Sequence, residues 1–217
     1  MQIVEAGWTA YPDMYGGEYT PHLFTFYTTN GYGKQSDYTG SWNTKFKGWY
    51  QHDANFYPGM TFSPLSEIDG PQREITIQYS LLEGSWWLNV QDVWVGCYPG
   101  SLFAVTPPGE ASKATTNTLA DHADSVGSWG EIYDTDNIPP KPQMGSGHFA
   151  STSWGWSAYM HSLSYCTDSS GLSPIIRAVL ARHRTRVSTR STHSSPALTS
   201  CVVTIRLPKL WWPIVEM

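Results

Sequence analysis

Arg73-Glu74-Ile75-Thr76-Ile77-Gln78-Tyr79 alternates strictly: Ile75, Ile77 and Tyr79 are separated by polar residues. Successive side chains of an extended strand point to opposite faces, so this spacing buries one face of a sheet and leaves the other to water or a cleft. Outward from this stretch, residues 2–165 repeat the theme, with short apolar and aromatic runs punctuated by Gly, Pro, Asn and Asp and almost no helical period. Strands are predicted at Gln2–Trp8, His22–Thr29, Thr61–Leu65, Glu74–Leu82, Trp86–Cys97, Leu102–Val105, His122–Tyr133 and Tyr159–Tyr165. Asn30-Gly31 suits a type I′ hairpin turn, because both residues tolerate positive φ. Pro107-Pro108-Gly109 and residues 137–142 read as loops, since prolines remove ladder donors.

Composition narrows the function. Aromatic residues make up 14% of the 217 residues and include eleven Trp, while charged residues also reach only 14%. Soluble proteins usually carry about 25% charged residues, so the balance suits a secreted β protein or a groove in which flat rings grip a polymer. Charge divides the chain. Residues 1–170 hold six Lys or Arg against seventeen Asp or Glu, a net of −11, whereas the remainder holds seven basic residues against Glu216 alone, a net of +6. An acidic body is a poor partner for nucleic acid, whose phosphates need clustered Lys and Arg. Cys97, Cys166 and Cys201 permit one disulfide at most, and no His or Cys spacing matches a metal site, so neither metal nor cofactor is expected. No run is long enough to cross a membrane, and none is expected as a partner.

The pattern changes after Asp168. A short basic helix could occupy Ile175–Arg186, but Val187–Ser200 is mostly Ser, Thr, Arg and His without a period that would bury a face. Val202–Ile205 and Leu210–Val215 are apolar again, each too short to build a core alone. The expected division is a domain over 1–168 and a basic, Ser/Thr-rich tail over 169–217 that is poorly ordered or foreign to the fold.

Gln2-Ile3-Val4-Glu5-Ala6-Gly7-Trp8 sets one acid inside an apolar strand. A carboxylate there costs several kcal/mol unless it is paired, hydrogen-bonded or protonated, or else it sits at an exposed strand edge. The segments around it favour a role. Gln2–Trp8 with Tyr11-Pro12-Asp13-Met14-Tyr15-Gly16, Leu23–Tyr32, Gly70–Ile75, Gly84–Leu88, Val95–Pro99 with Leu102-Phe103, Ser128–Ile132 and Gln143–Phe149 resemble, in order, segments of the neprosin-type glutamic peptidases. The resemblance implies an antiparallel β-sandwich of two stacked sheets, concanavalin-like or lectin-like. It places the two catalytic glutamates on Glu5 and on Glu131 in Trp129-Gly130-Glu131.

Paired glutamates suit peptide hydrolysis. Two carboxyls held close do not both ionise readily, so one keeps a proton to donate while the other deprotonates a water. The resemblance implies a secreted endopeptidase that cleaves peptide or protein substrates near proline; a proton shared by the pair predicts an acidic optimum, and the chain is expected to be a monomer. Trp8, Trp129 and Tyr133 are candidates for an apolar proline subsite or for core packing, the more frequent fate of an aromatic residue in a strand. Gln72 and Gln78 are candidate oxyanion donors, a task backbone amides also perform. Gly145-Ser146-Gly147-His148 lacks the Gly-x-Ser-x-Gly elbow and reads as a bulge or close backbone approach. Family members carry strands ahead of the first catalytic glutamate, here residue 5, so an open sheet edge is expected beside it. The competing readings are a lectin-like sandwich that binds carbohydrate without catalysis and a glycoside hydrolase built on the same two acids.

Overall fold

The computed structural model describes residues 1–32, 37, 39–104, 118–130, 145–152, 154–167, 171–174, 179–180, 187–188, 198–206 and 214–216, with the backbone alone at 118, 129, 150 and from 166 onward. In chain order the elements are β1 (Ile3–Thr9), β2 (His22–Thr28), β3 (Gly40–Trp42), β4 (Tyr50–Gln51), β5 (Glu74–Leu82), β6 (Ser85–Val90), β7 (Val93–Pro99), the helical turn α1 (Ser101–Ala104), β8 (Gly127–Trp129), β9 (Tyr159–Thr167), β10 (Gly171–Pro174), β11 (Val179–Leu180), β12 (Val187–Ser188), β13 (Leu198–Arg206) and β14 (Ile214–Glu216). They form two antiparallel sheets. The first runs β12-β8-β14-β1-β2-β3, and the second runs β10-β9-β13-β5-β6-β7-β4 with β11 also paired to β9.

The sheets stack because alternation gives each a buried face. Val4, Ala6 and Trp8 of β1 and Leu23 and Tyr27 of β2 meet Ile75, Ile77 and Tyr79 of β5 and Trp86, Leu88 and Val90 of β6 in one core. Each such side chain contributes on the order of 1.5–3 kcal/mol when fully buried, so the inter-sheet layer holds the sandwich together. Gly96 permits a close approach at the edge: a Cβ there would lie 2.3 Å from the Tyr50 carbonyl oxygen, so only glycine lets β4 pair with β7.

Several elements differ from the sequence reading. The run expected as one strand over Trp86–Cys97 is a hairpin, because Gln91 and Asp92 adopt φ of 51° and 63° in a two-residue turn between Val90 and Val93. Leu102 and Phe103 lie in α1 instead of a strand; both are buried, which suits either period. At Thr61–Leu65 only Thr61 forms a bridge, to His22, since Pro64 has no N–H to extend it. Of His122–Tyr133, only Gly127–Trp129 is strand among the described residues. Asn30-Gly31 closes no two-residue hairpin: only Gly31 has positive φ, at 86°, and the partner of β2 is β3. Within the expected helix Ile175–Arg186, Val179–Leu180 is a strand, drawn onto the ladder groups of Tyr159 and Met160. The edge of β1 expected to be open is paired with β14, Glu5 opposite Glu216. β13 lies between β9 and β5, paired to both.

Candidate active site

Glu5 sits in the middle of β1 and is only 2% exposed. Val4, Ala6 and Trp8 face the inter-sheet core, so alternation puts Glu5 on the opposite, outer face of the first sheet. Its register partner on β2 is Phe26, which pairs in turn with Trp42 of β3. Phe24, Phe26 and Trp42 form a separate aromatic cluster there, with Trp42 centred 5.2 Å from Phe24 and 5.0 Å from Phe26. Tyr32 lies parallel to the Phe26 ring at 6.0 Å and donates its hydroxyl to Glu5 Oε1 at 2.6 Å. The carboxylate therefore stands beside an aromatic floor with one oxygen held by a phenol.

The strand behind it is braced from the second sheet. The Tyr79 hydroxyl is 3.2 Å and the Thr25 hydroxyl 3.1 Å from the Glu5 carbonyl oxygen, and the two hydroxyls bond each other. Tyr79 belongs to β5, so this contact crosses the core and fixes β1 at the Glu5 position. Burial pushes the Tyr79 phenol far above its usual range; the Thr25 bond opposes that and the charge of Glu5 adds to it.

Farther along the same face, His22 is 4% exposed and stacks on Tyr15 with centroids 3.7 Å apart and planes 3° off parallel. Tyr15 accepts from Asn43 Nδ2 at 2.9 Å, and Asn43 Oδ1 receives the Thr25 amide at 3.0 Å. This network ties the 11–18 loop to β2 and limits the face on that side.

The residues proposed from sequence separate. Trp8 is fully buried in the inter-sheet core, on the far side of β1 from Glu5, and is not part of a subsite. Gln78 lies on the outer face of the second sheet and donates to Ser80 Oγ at 2.7 Å, so the whole core stands between it and Glu5. The Gln72 amide donates to Glu67 O at 2.9 Å and Gly70 O at 2.6 Å, which commits it to its own loop instead of an oxyanion. The Trp129 backbone pairs with Ile214 of β14, which pairs with Gly7 of β1. Glu131 and Tyr133 lie outside the described residues. Sequence reasoning missed Tyr32, Phe24, Phe26 and Trp42. For Phe26 the signal was there, since it faces Glu5 when β1 and β2 pair antiparallel.

Among the described residues no helix is long and apolar enough to cross a membrane, and no group of three or more His, Cys, Asp or Glu is placed to hold a metal ion. A profile of the Neprosin family matches residues 1–195, running past Asp168, where the sequence reading ends the resemblance. That span covers the sandwich from β1 through β12, including the buried acid and its aromatic floor, and so this chain belongs to the neprosin family, of broadly glutamic-type peptidases.

Proposed function

We propose that the protein is a secreted glutamic endopeptidase that acts at acidic pH on peptides and cleaves near proline, with Glu5 and Glu131 as its two acids. The observation that carries this reading is Glu5 itself, a buried glutamate on an outer sheet face that receives a phenol proton beside an aromatic floor. In this reading Glu5, whose Oε1 receives the Tyr32 hydroxyl, is assigned the base and Glu131 the acid. Glu5 takes a proton from water, the resulting hydroxide adds to the scissile carbonyl carbon, and the C–N bond breaks as Glu131 protonates the departing amine. Phe24, Phe26 and Trp42 offer flat apolar surface for a proline ring next to the reacting bond.

The test is incubation at roughly pH 3–5 with an unstructured proline-containing protein, and mass spectrometry of the products, for the wild type, Glu5→Gln and Glu131→Gln. Both variants are expected to lose at least about 100-fold in rate while keeping the wild-type circular dichroism. A folded Glu5→Gln variant that cleaves at the wild-type rate overturns the reading.

A further inference from the structure

The outer face of the second sheet, across the core from Glu5, carries a second cluster that hydrolysis does not use. Met160, Leu163 and Tyr165 of β9 pack on the core. A regular strand would give that face to residues 160, 162 and 164. The register of β9 on β13 shifts between Val202 and Thr204, and Ser162 adopts φ of 54°, so a bulge at Ser162 resets the alternation. Tyr159 and His161 consequently face outward beside Glu74 of β5.

Their polar atoms are linked. Glu74 Oε1 accepts from the Tyr159 hydroxyl and lies 3.2 Å from His161 Nε2, while His161 Nδ1 lies 2.8 Å from Ser162 Oγ. Trp154 stacks on Tyr159 with centroids 4.0 Å apart and planes 21° off parallel, and its centroid is 6.4 Å from that of His161. The Asp69 amide donates to the Gly155 carbonyl at 3.0 Å and pins the loop that carries the indole. Tyr159 is covered by this stack, yet Trp154 stays 54% exposed.

We propose that this cluster is a saccharide-binding site, in which the C–H face of a pyranose lies on Trp154 and its hydroxyls bond to Glu74, His161 and Ser162. Trp154, backed by the Tyr159 ring and half exposed, presents a flat apolar face of the kind that the C–H face of a pyranose covers. The groups beside it are both donors and acceptors, which a polyhydroxylated ring satisfies. A basic peptide fits less well, because His161 already stands against the Glu74 carboxylate that would receive its cation. Preorganisation by the pinned loop lowers the ordering cost of binding. Since the site lies across the sandwich from Glu5, a bound glycan chain leaves the peptidase face open.

Native electrophoresis through gels cast with dextran, galactomannan, mixed-linkage β-glucan or pectin tests the proposal. The folded chain is expected to be retarded in at least one gel, and Trp154→Ala to weaken that affinity at least about tenfold while cleaving peptides as the wild type does. His161→Ala leaves the Trp154–Tyr159 stack in place and is expected to weaken binding severalfold. Measured against a polysaccharide-free gel, Glu5→Gln should be retarded as much as the wild type. Unretarded migration of the natively folded wild type in every gel overturns the proposal, as does equal retardation of the wild type and both site variants. Retention by a polylysine matrix that Trp154→Ala abolishes, without retardation in any polysaccharide gel, assigns the cluster to cations and overturns it too.

Discussion

Tyr79 ties the Glu5 strand to the opposite sheet, and its buried phenol makes that tie sensitive to alkali. Burial raises both the Tyr79 and Tyr98 phenols well above the ordinary range near 10. In the unfolded chain they ionise at about pH 10, whereas in the folded protein they stay neutral to higher pH. Their contribution to stability is therefore complete below about pH 10 and is lost as the pH rises through the folded-state values, which urea unfolding between about pH 7 and 11 should show as a falling midpoint. Tyr79→Phe is expected to reduce that alkaline fall and to cost about 1–2 kcal/mol at neutral pH by removing the bonds to Thr25 and the Glu5 carbonyl. Tyr32→Phe removes the hydrogen bond to Glu5 Oε1 and, on the proposed role of Glu5, should lower the cleavage rate severalfold while the urea midpoint stays close to that of the wild type. At this scale Glu5 was legible as a lone acid in an apolar run. Of the two fates open to Trp8, core packing follows from β1 itself, because residues three apart in a strand face opposite ways. Tyr32 was not legible, since it reaches Glu5 from a loop whose path the local sequence does not encode.

Turns decided whether a hairpin was seen in the sequence. β5 was read correctly at both ends, because its alternation is strict and Glu83-Gly84, with φ of 49° and 72°, closes the hairpin to β6 with a recognisable glycine. The β6–β7 turn was hidden because Gln91-Asp92 takes up the same left-handed geometry without Asn or Gly. Gln91 Oε1 accepts the Thr76 amide at 2.7 Å, so the turn is best relaxed at its other residue: Asp92→Gly should raise stability by about 0.5–1 kcal/mol, read as a shift in the urea midpoint with unchanged slope. Gly96→Ala should do the reverse. Its Cβ would strike the Tyr50 carbonyl and the Trp49 ring, 2.3 and 2.5 Å away, so β4 should detach and amide exchange at its ladder with β7 should accelerate.

For the whole molecule, alternation and aromatic richness pointed to a sandwich, but strand order depends on pairings between distant segments that no local window contains. β13 illustrates the limit: Val202–Ile205 is too short to suggest a core, yet β13 is paired along both edges, to β9 and β5. Removing residues 198–217 should leave two unpaired edges in the second sheet, and the shortened chain should aggregate in size-exclusion chromatography or fail to give a cooperative melt. β1, with its buried acid, pairs with both β2 and β14, the latter reaching from Glu5 to Glu216. Segments so far apart along the chain meet slowly, so closure of the β1–β14 ladder, and not formation of the local hairpins, should set the rate at which the first sheet refolds from urea.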